Sequence, residues 1–407
     1  MNHLFSIKTD ILIAWLLINL FVALNPAFTQ PLTLTTPLLV RWSYFSDSLT
    51  GVTPSGDMND IYVPLLPSEL VSLGGGDGLL RWKADIGGDI SCPPVFDAQR
   101  VYIISESQAF GDANRKTFGV VRAISRASGV TLWVREFPRP FRRGLSANSV
   151  SLFASLDDGR LYSIDKFTGE TRWLVQSSYR GPDTPLLEAD KIYALTGDGY
   201  LIAISQRTGK TLQRYRTGGA VRPQVSVQQG TLYFATDDGY ISALRERRGN
   251  LALLWRKRAG AGLQDITATP EGVLVTARDN FVLLLESNRG KRLWKRQMPA
   301  RLAVPPSLGY GTALFSPLGE EACIALSLRD GRVINSLPIG KDNNVVASPL
   351  IVGNLVLIPT RKGLMAFAPA EQSTNPASPS PHTKRDPVAG EQLIRATHVS
   401  SGATEGR

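Results

Sequence analysis

Residues 161–173 read LYSIDKFTGETRW: a short run of β-formers, a turn ending in Gly169, and Trp173 four residues beyond it. The arrangement recurs. Its copies are GGGDGLLRW ending at Trp82, VRAISRASGVTLW at Trp133, LIAISQRTGKTLQ at Gln213, ISALRERRGNLALLW at Trp255, FVLLLESNRGKRLW at Trp294 and IALSLRDGRVIN at Asn335. From Trp82 onward the steps are 51, 40, 40, 42, 39 and 41 residues, and Trp42 in LLVRWSYF stands 40 residues before Trp82. A period of about 40 residues sustained along a chain marks a repeat architecture.

One repeat, residues 183–215, shows what is repeated. Its runs PLLEA, KIYALT, YLIAIS and TLQRYR are broken by AD, GDG and RTGK, so each repeat holds four short strands, A to D, joined as antiparallel hairpins. A four-stranded sheet with two apolar faces cannot bury both alone, whereas sheets stacked face to face around an axis can. The expected fold is therefore all-β, a β-propeller. Residues 345–369 supply strands A, B and C but no D strand, and TLTTPLLVRWSYF near the N-terminus is a D strand without a blade. Closing the ring with that strand gives eight blades; leaving Trp42 out gives seven.

The repeated Trp has a structural reading. A large aromatic on the outermost strand buries about 150 to 250 Å² when laid over the Gly turn of the next blade. Trp42, Trp82, Trp133, Trp173, Trp255 and Trp294, with Gly78, Gly129, Gly169, Gly209, Gly290 and Gly331, are the expected docking residues. The pattern A-x-[SD]-x-x-[TS]-G-x-x-x-W over residues 38–369 resembles the tryptophan-docking repeat of quinoprotein-type propellers. That family spans the pyrroloquinoline-quinone (PQQ) alcohol dehydrogenases and the outer-membrane assembly factors of the BamB type. The resemblance implies either a quinone-linked oxidoreductase or a binding scaffold, since fold does not fix function.

A dehydrogenase of this family would carry a vicinal Cys pair, calcium ligands and an Asp base. The only two cysteines, Cys92 and Cys323, lie in different repeats, and His3, His382 and His398 all fall outside the ring. The expectation is a chain with no catalytic residues, no cofactor and no metal. Asp157-Asp158-Gly159, Asp198-Gly199 and Asp237-Asp238-Gly239 read as type I′ hairpin turns between strands B and C, and they lack the D-x-D-x-D-G spacing of a calcium loop. The stretch GGGDG at 74–78 runs into a Trp-bearing strand and is a turn, not a phosphate loop.

Ahead of the ring, residues 1–29 hold an apolar run from Ile11 to Leu24, too short to span a bilayer comfortably, which favours a signal peptide over an uncleaved anchor. Residues 30–37 form a short leader. The run has no Cys, so the lipoprotein pattern of the BamB type is absent, and the expected location is the periplasm or the outer-membrane periphery. Residues 370–407 are rich in Pro, Ser and Thr and read as a disordered tail.

The chain carries 45 Lys and Arg against 35 Asp and Glu, a net charge of +10, which bears on partners more than on fold. Basic residues follow the D strands, as in WVREFPRPFRRG, WRKRAG and WKRQMPAR. They share one face with the B-to-C turns. The step of 51 residues adds an excursion, SESQAFGDANRKTFG, to the second blade. Long loops on a rigid scaffold carry function, and Arg with aromatics is the composition of interface hot spots. The candidate partner-binding residues are Phe137, Arg139, Phe141, Arg142 and Arg143, with Arg115, Lys116, Arg256, Lys257 and Arg258. The expected partner is an envelope protein complex; an anionic lipid or polysaccharide surface is the other class of contact. No RNA-binding module or aromatic stacking array points to nucleic acid, and a monomer is favoured. The competing functions are a PQQ-dependent oxidoreductase and a polysaccharide-binding envelope protein.

Overall fold

A computed structural model describes residues 32–108, 117–176, 184–196 and 198–370. Residues 1–29 and 371–407, where the signal peptide and nearly all of the tail are expected, lie outside them. The described residues form eight antiparallel sheets in a ring and no helix. Blade 1 runs from Ser55 to Asp85, blade 2 from Asp89 to Phe137, blade 3 from Phe141 to Gln176 and blade 4 from Leu186 to Arg216. Blade 5 runs from Val221 to Arg258, blade 6 from Leu263 to Gln297 and blade 7 from Ser307 to Pro338. Blade 8 takes three strands from Leu350 to Pro369 and its fourth, Leu38–Phe45, from the other end of the chain. Leu38 pairs with Pro369 and Phe45 with Gly363, so the ring has eight blades and closes as the free D strand implied.

Strands B and C of each blade are sandwiched between neighbouring sheets. This is why SLFASL, TLYFAT and LVLIPT are buried at every position instead of alternating. The D strands, on the outer rim, alternate or stand open.

Each docking Trp spans the seam to the next blade. Its indole N–H donates to the carbonyl three residues before the turn glycine, at 2.7–3.2 Å for Trp42, Trp82, Trp133, Trp173, Trp255 and Trp294. Its ring covers that glycine so closely that a Cβ on Gly129 would lie 2.7 Å from Trp82. In four blades an aromatic of strand B, such as Tyr62 beneath Trp82, packs near the indole within its own blade.

The two copies without Trp have different explanations. Asn335 of blade 7 faces the blade whose C and D strands come from opposite chain ends, and its side-chain amide donates to Thr36 O at 2.8 Å. The leader thus replaces the missing C-to-D turn, with Leu32 and Leu34 buried against Leu314, Cys323 and Leu337. Gln213 of blade 4 faces a blade whose C-to-D connection is a tight two-residue turn, Arg248-Gly249, with both residues at positive φ. No loop lies there for an indole to cover.

A second set of seams uses polar groups at the position three before the turn glycine. Arg126 of blade 2 reaches Asp57 and Asp60 of blade 1 at 2.5 and 3.0 Å. Lys166 of blade 3 reaches Asp97 of blade 2 at 2.9 Å, Gln206 of blade 4 accepts from Asn148 of blade 3 at 2.8 Å, and Glu246 of blade 5 meets Lys191 of blade 4 at 2.5 Å. Burial alone would push the Asp97 carboxyl up. The Lys166 ammonium, the backbone N–H groups of Gln99 and Arg100 and the Tyr102 hydroxyl outweigh it and hold the carboxyl at about 2. A carboxyl held low in the folded state contributes stability that is fully present above its unfolded pKa and is lost as pH falls through the folded value. Between about pH 4 and pH 2 the native protein is therefore expected to lose about 2 kcal/mol more than the Asp97→Asn variant. Urea unfolding at stepped pH checks this; parallel losses in both proteins would remove Asp97 as the cause.

Candidate partner-binding face

The D-to-A connections and the B-to-C turns meet on one face. In blades 4 to 7 the residue after the D strand donates to a B-to-C turn: Thr217 N to Gly199 O, Ala259 N to Gly239 O, Met298 N to Asn280 O and Ile339 N to Glu321 O, all at 2.8–2.9 Å. The Asp-Gly turns on this face are not of type I′. Gly159, Gly199 and Gly239 have positive φ but the aspartates before them do not. Gly159 N donates to Leu156 O, the geometry of a three-residue loop built on a type I turn with glycine in the left-handed position. The extra loop residue, not seen in the Asp-Gly pair alone, decides the turn.

The excursion of blade 2 begins as a longer hairpin. Strands Arg100–Gln108 and Thr117–Ser125 stay paired out to Gln108 and Thr117, beyond the length of neighbouring blades. Arg115 and Lys116 lie outside the described residues. At the base of this hairpin Gly119 N donates to Arg139 O at 3.0 Å, and Asp157 N donates to Pro140 O at 2.9 Å. The loop between blades 2 and 3 is thereby pinned on both sides.

Phe137 and Phe141 turn inward. They are buried, with ring centroids 4.8 Å apart in an edge-on pair, and Phe137 also meets Tyr162. They brace the loop from beneath and are not offered to a partner, because the apolar rings fill the seam between blades. Arg139 is on the surface, its guanidinium bridging both carboxylate oxygens of Asp157 at 3.1 and 3.2 Å. Arg142 and Arg143 sit on the inner strand Phe141–Ala147, and the positions of their side chains are outside those described. Around the ring on the same face, a cleft of about 550 Å³ opens between blades 1 and 2, lined by Leu49, Thr50, Leu66, Ile90, Ser91 and Glu106.

Arg256, Lys257 and Arg258 stand far from this corner, on the rim of blade 5, and all three are exposed. Arg256 lies over the Tyr240 ring at 4.5 Å and within 3.3 Å of Asp238. The same unit occurs in blade 4, Arg214 over Tyr200 at 4.4 Å, and in blade 6, Lys295 over Phe281 at 3.4 Å. Sequence reasoning had the basic residues of blade 5 but not these partners. The signal was present: an aromatic opens strand C in GDGY, DDGY and RDNF, and a cation follows the Trp position of strand D.

Cys92 and Cys323 are both buried free thiols, in the cores of blades 2 and 7, and burial pushes them up to about 12 and about 11. Among the described residues no group of three or more His, Cys, Asp or Glu converges to hold a metal ion.

These features define a class: an eight-bladed propeller of tryptophan-docked repeats whose distinctive chemistry lies in its loops and rim. A family model described as outer membrane protein assembly factor BamB matches residues 117–252 and 212–402, and the chain belongs to that family of PQQ-like repeat propellers. Among solved structures it is similar to BamB from Moraxella catarrhalis, at 14% identity and a TM-score of 0.66, over 83% of this chain and 99% of that one. It is equally similar in fold to the computationally designed Ika8 protein, at 12% identity and a TM-score of 0.66, over 81% of this chain and 99% of that one. A search of curated proteins found no match.

Proposed function

We propose that the protein is a non-catalytic scaffold of the bacterial cell envelope that supports assembly of outer-membrane proteins. It is exported by residues 1–29 and holds a protein complex through the face carrying the D-to-A and B-to-C loops. The observation that carries this reading is the family match, which spans most of the ring. Two features of the chain support it further: no two cysteines are adjacent, and no histidine lies in the propeller. The contact is assigned to the corner of blades 2 and 3, where Arg139 is exposed on a loop pinned to both neighbours, with the cleft between blades 1 and 2 beside it.

The test is capture from detergent-solubilised envelopes on immobilised protein, with the bound proteins identified by mass spectrometry. The native protein is expected to retain a complex containing the machinery that inserts β-barrel proteins. A variant with Arg139, Arg142 and Arg143 changed to Glu should retain about tenfold less, as for loss of a hot spot. Equal retention by both would remove the corner, and absence of that machinery from the native eluate would sink the reading.

A further inference from the structure

The charge of the ring is divided between opposite sides. Residues 186–301, which make blades 4 to 6, contain 19 Lys and Arg against 10 Asp and Glu, whereas residues 32–108, the closing strand with blade 1 and the inner half of blade 2, contain 4 against 9. Blades 1 and 5 are four steps apart in a ring of eight, so the acidic and basic sectors face away from each other. A net charge kept only for solubility would have no reason to be sorted in this way.

The sorting is sharpest on the D strands. Those of blades 4, 5 and 6 (TLQRYR, NLALLWRKR and RLWKRQ) carry eight Lys and Arg and no carboxylate. The D strands of the other five blades carry Arg41, Arg81, Lys83, Arg135 and Arg172, diluted by Asp85 and Glu136. Edge protection accounts for a charge on an outer strand, but only the D strands of blades 4, 5 and 6 carry two or more Lys and Arg with no carboxylate.

Those same three blades hold the units in which a D-strand cation lies on the aromatic that opens strand C: Arg214 on Tyr200, Arg256 on Tyr240 and Lys295 on Phe281. The corresponding cation of blade 1, Lys83, is paired instead with Glu69 at 2.5 Å. An aromatic face fixes a cation without neutralising it, and a stacked guanidinium keeps its edge donors free for a phosphate. Asp198 and Asp238, near Arg214 and Arg256 at 3.6 and 3.3 Å, are about half exposed and offset little of the charge. The three cations occupy one repeat position, directly after Gln213, Trp255 and Trp294, so each stands at the corresponding place on its own blade. Cations repeated at one position on three consecutive blades suit a repeating array of phosphates better than a single phosphate ion.

From this we infer that the basic rim of blades 4 to 6 docks the propeller on the phosphate groups of an anionic lipid surface, with the acidic sector turned away. The phosphate chemistry stands on the rim itself; the choice of a membrane as its source rests on the envelope reading above. Such a contact would hold at a membrane a chain whose apolar N-terminal run contains no Cys.

The test is sedimentation of the full-length chain with vesicles of phosphatidylcholine, with or without phosphatidylglycerol. The apolar run Ile11–Leu24 is common to every variant, so the readout is the ratio of anionic to neutral binding. The native ratio should be high and fall with salt. Changing Arg214, Arg256 and Lys295 to Gln should lower it about 100-fold, roughly fivefold for each cation. Changing Tyr200, Tyr240 and Phe281 to Leu keeps all the charge and should still lower it about tenfold. Changing Arg41, Arg81 and Arg135 to Gln, the same charge taken from blades 8, 1 and 2, should leave it unaltered; circular dichroism verifies that each variant is folded. The inference is overturned if the last variant loses as much as the first or the aromatic variant binds like the native protein. It is overturned equally if only an acidic polypeptide resin retains it. None of these variants alters the Arg139 corner, so failure here leaves the capture experiment intact.

Discussion

Replacing Trp42 by Ala is expected to lower the unfolding free energy by about 3 to 5 kcal/mol, the range for removing a large buried aromatic. Trp42 is 9% exposed, donates to Gly75 O at 2.9 Å and covers Gly78. Its position on the closing strand makes it the strongest case among the docking residues. That strand is joined to blade 8 only by its pairing with Gly363–Pro369, and Trp42 ties it sideways to blade 1. Removal leaves an uncovered turn, an unmet carbonyl and a strand tied to the blade 1 turn chiefly through the Arg41 Nε–Gly76 O hydrogen bond at 3.1 Å. Urea unfolding followed by circular dichroism measures the loss, with Trp173→Ala as the reference at an internal seam. A loss at Trp42 below that at Trp173 would show that closure is not the vulnerable step.

The second large effect is expected at the glycines beneath the indoles. Gly209 has φ +71°, and a Cβ there would lie 2.8 Å from the Trp173 ring and 2.9 Å from Val175. Gly209→Ala therefore combines about 1 kcal/mol or more for a left-handed alanine with about 1 to 3 kcal/mol of overpacking. Gly249 has φ +79° but nothing within 4 Å of the same hypothetical atom, because the tight turn of blade 5 carries no indole. Gly249→Ala should show the backbone contribution alone, about 1 kcal/mol, and the difference between the two variants isolates the collision. Equal losses would mean that the docking contact yields without strain.

Much of this architecture was legible because one constraint is repeated. The Gly-to-Trp spacing fixes a turn and its cover together, so six copies located six seams, and the unpaired D strand at Trp42 disclosed the closure. What stayed hidden depends on neighbours far apart in sequence. Nothing local in TLTTP shows that Leu32 and Leu34 stand in for a missing turn, nor in ERRGN that the turn there is too tight to receive an indole. The corner of blades 2 and 3 was located by its extra length, yet the orientation of Phe137 and Phe141 was not: on an irregular loop no periodicity separates a buried ring from a displayed one. The inter-blade pairs of Arg126 and Lys166 had no signal either, since each joins residues from different repeats.

The closing strand also orders events in time. As the chain emerges from its N-terminus, Leu38–Phe45 is among the first strands of the ring to appear, but its partner, Gly363–Pro369, is the last. Until then it is an unpaired edge with Leu39, Val40 and Phe45 exposed even in the finished ring, and such edges recruit strands from other chains. The blades between can stack as they arrive, each on its predecessor, but the first and last must wait for each other. The protein's most hazardous interval is thus the whole of its own synthesis, and it ends in a single pairing event.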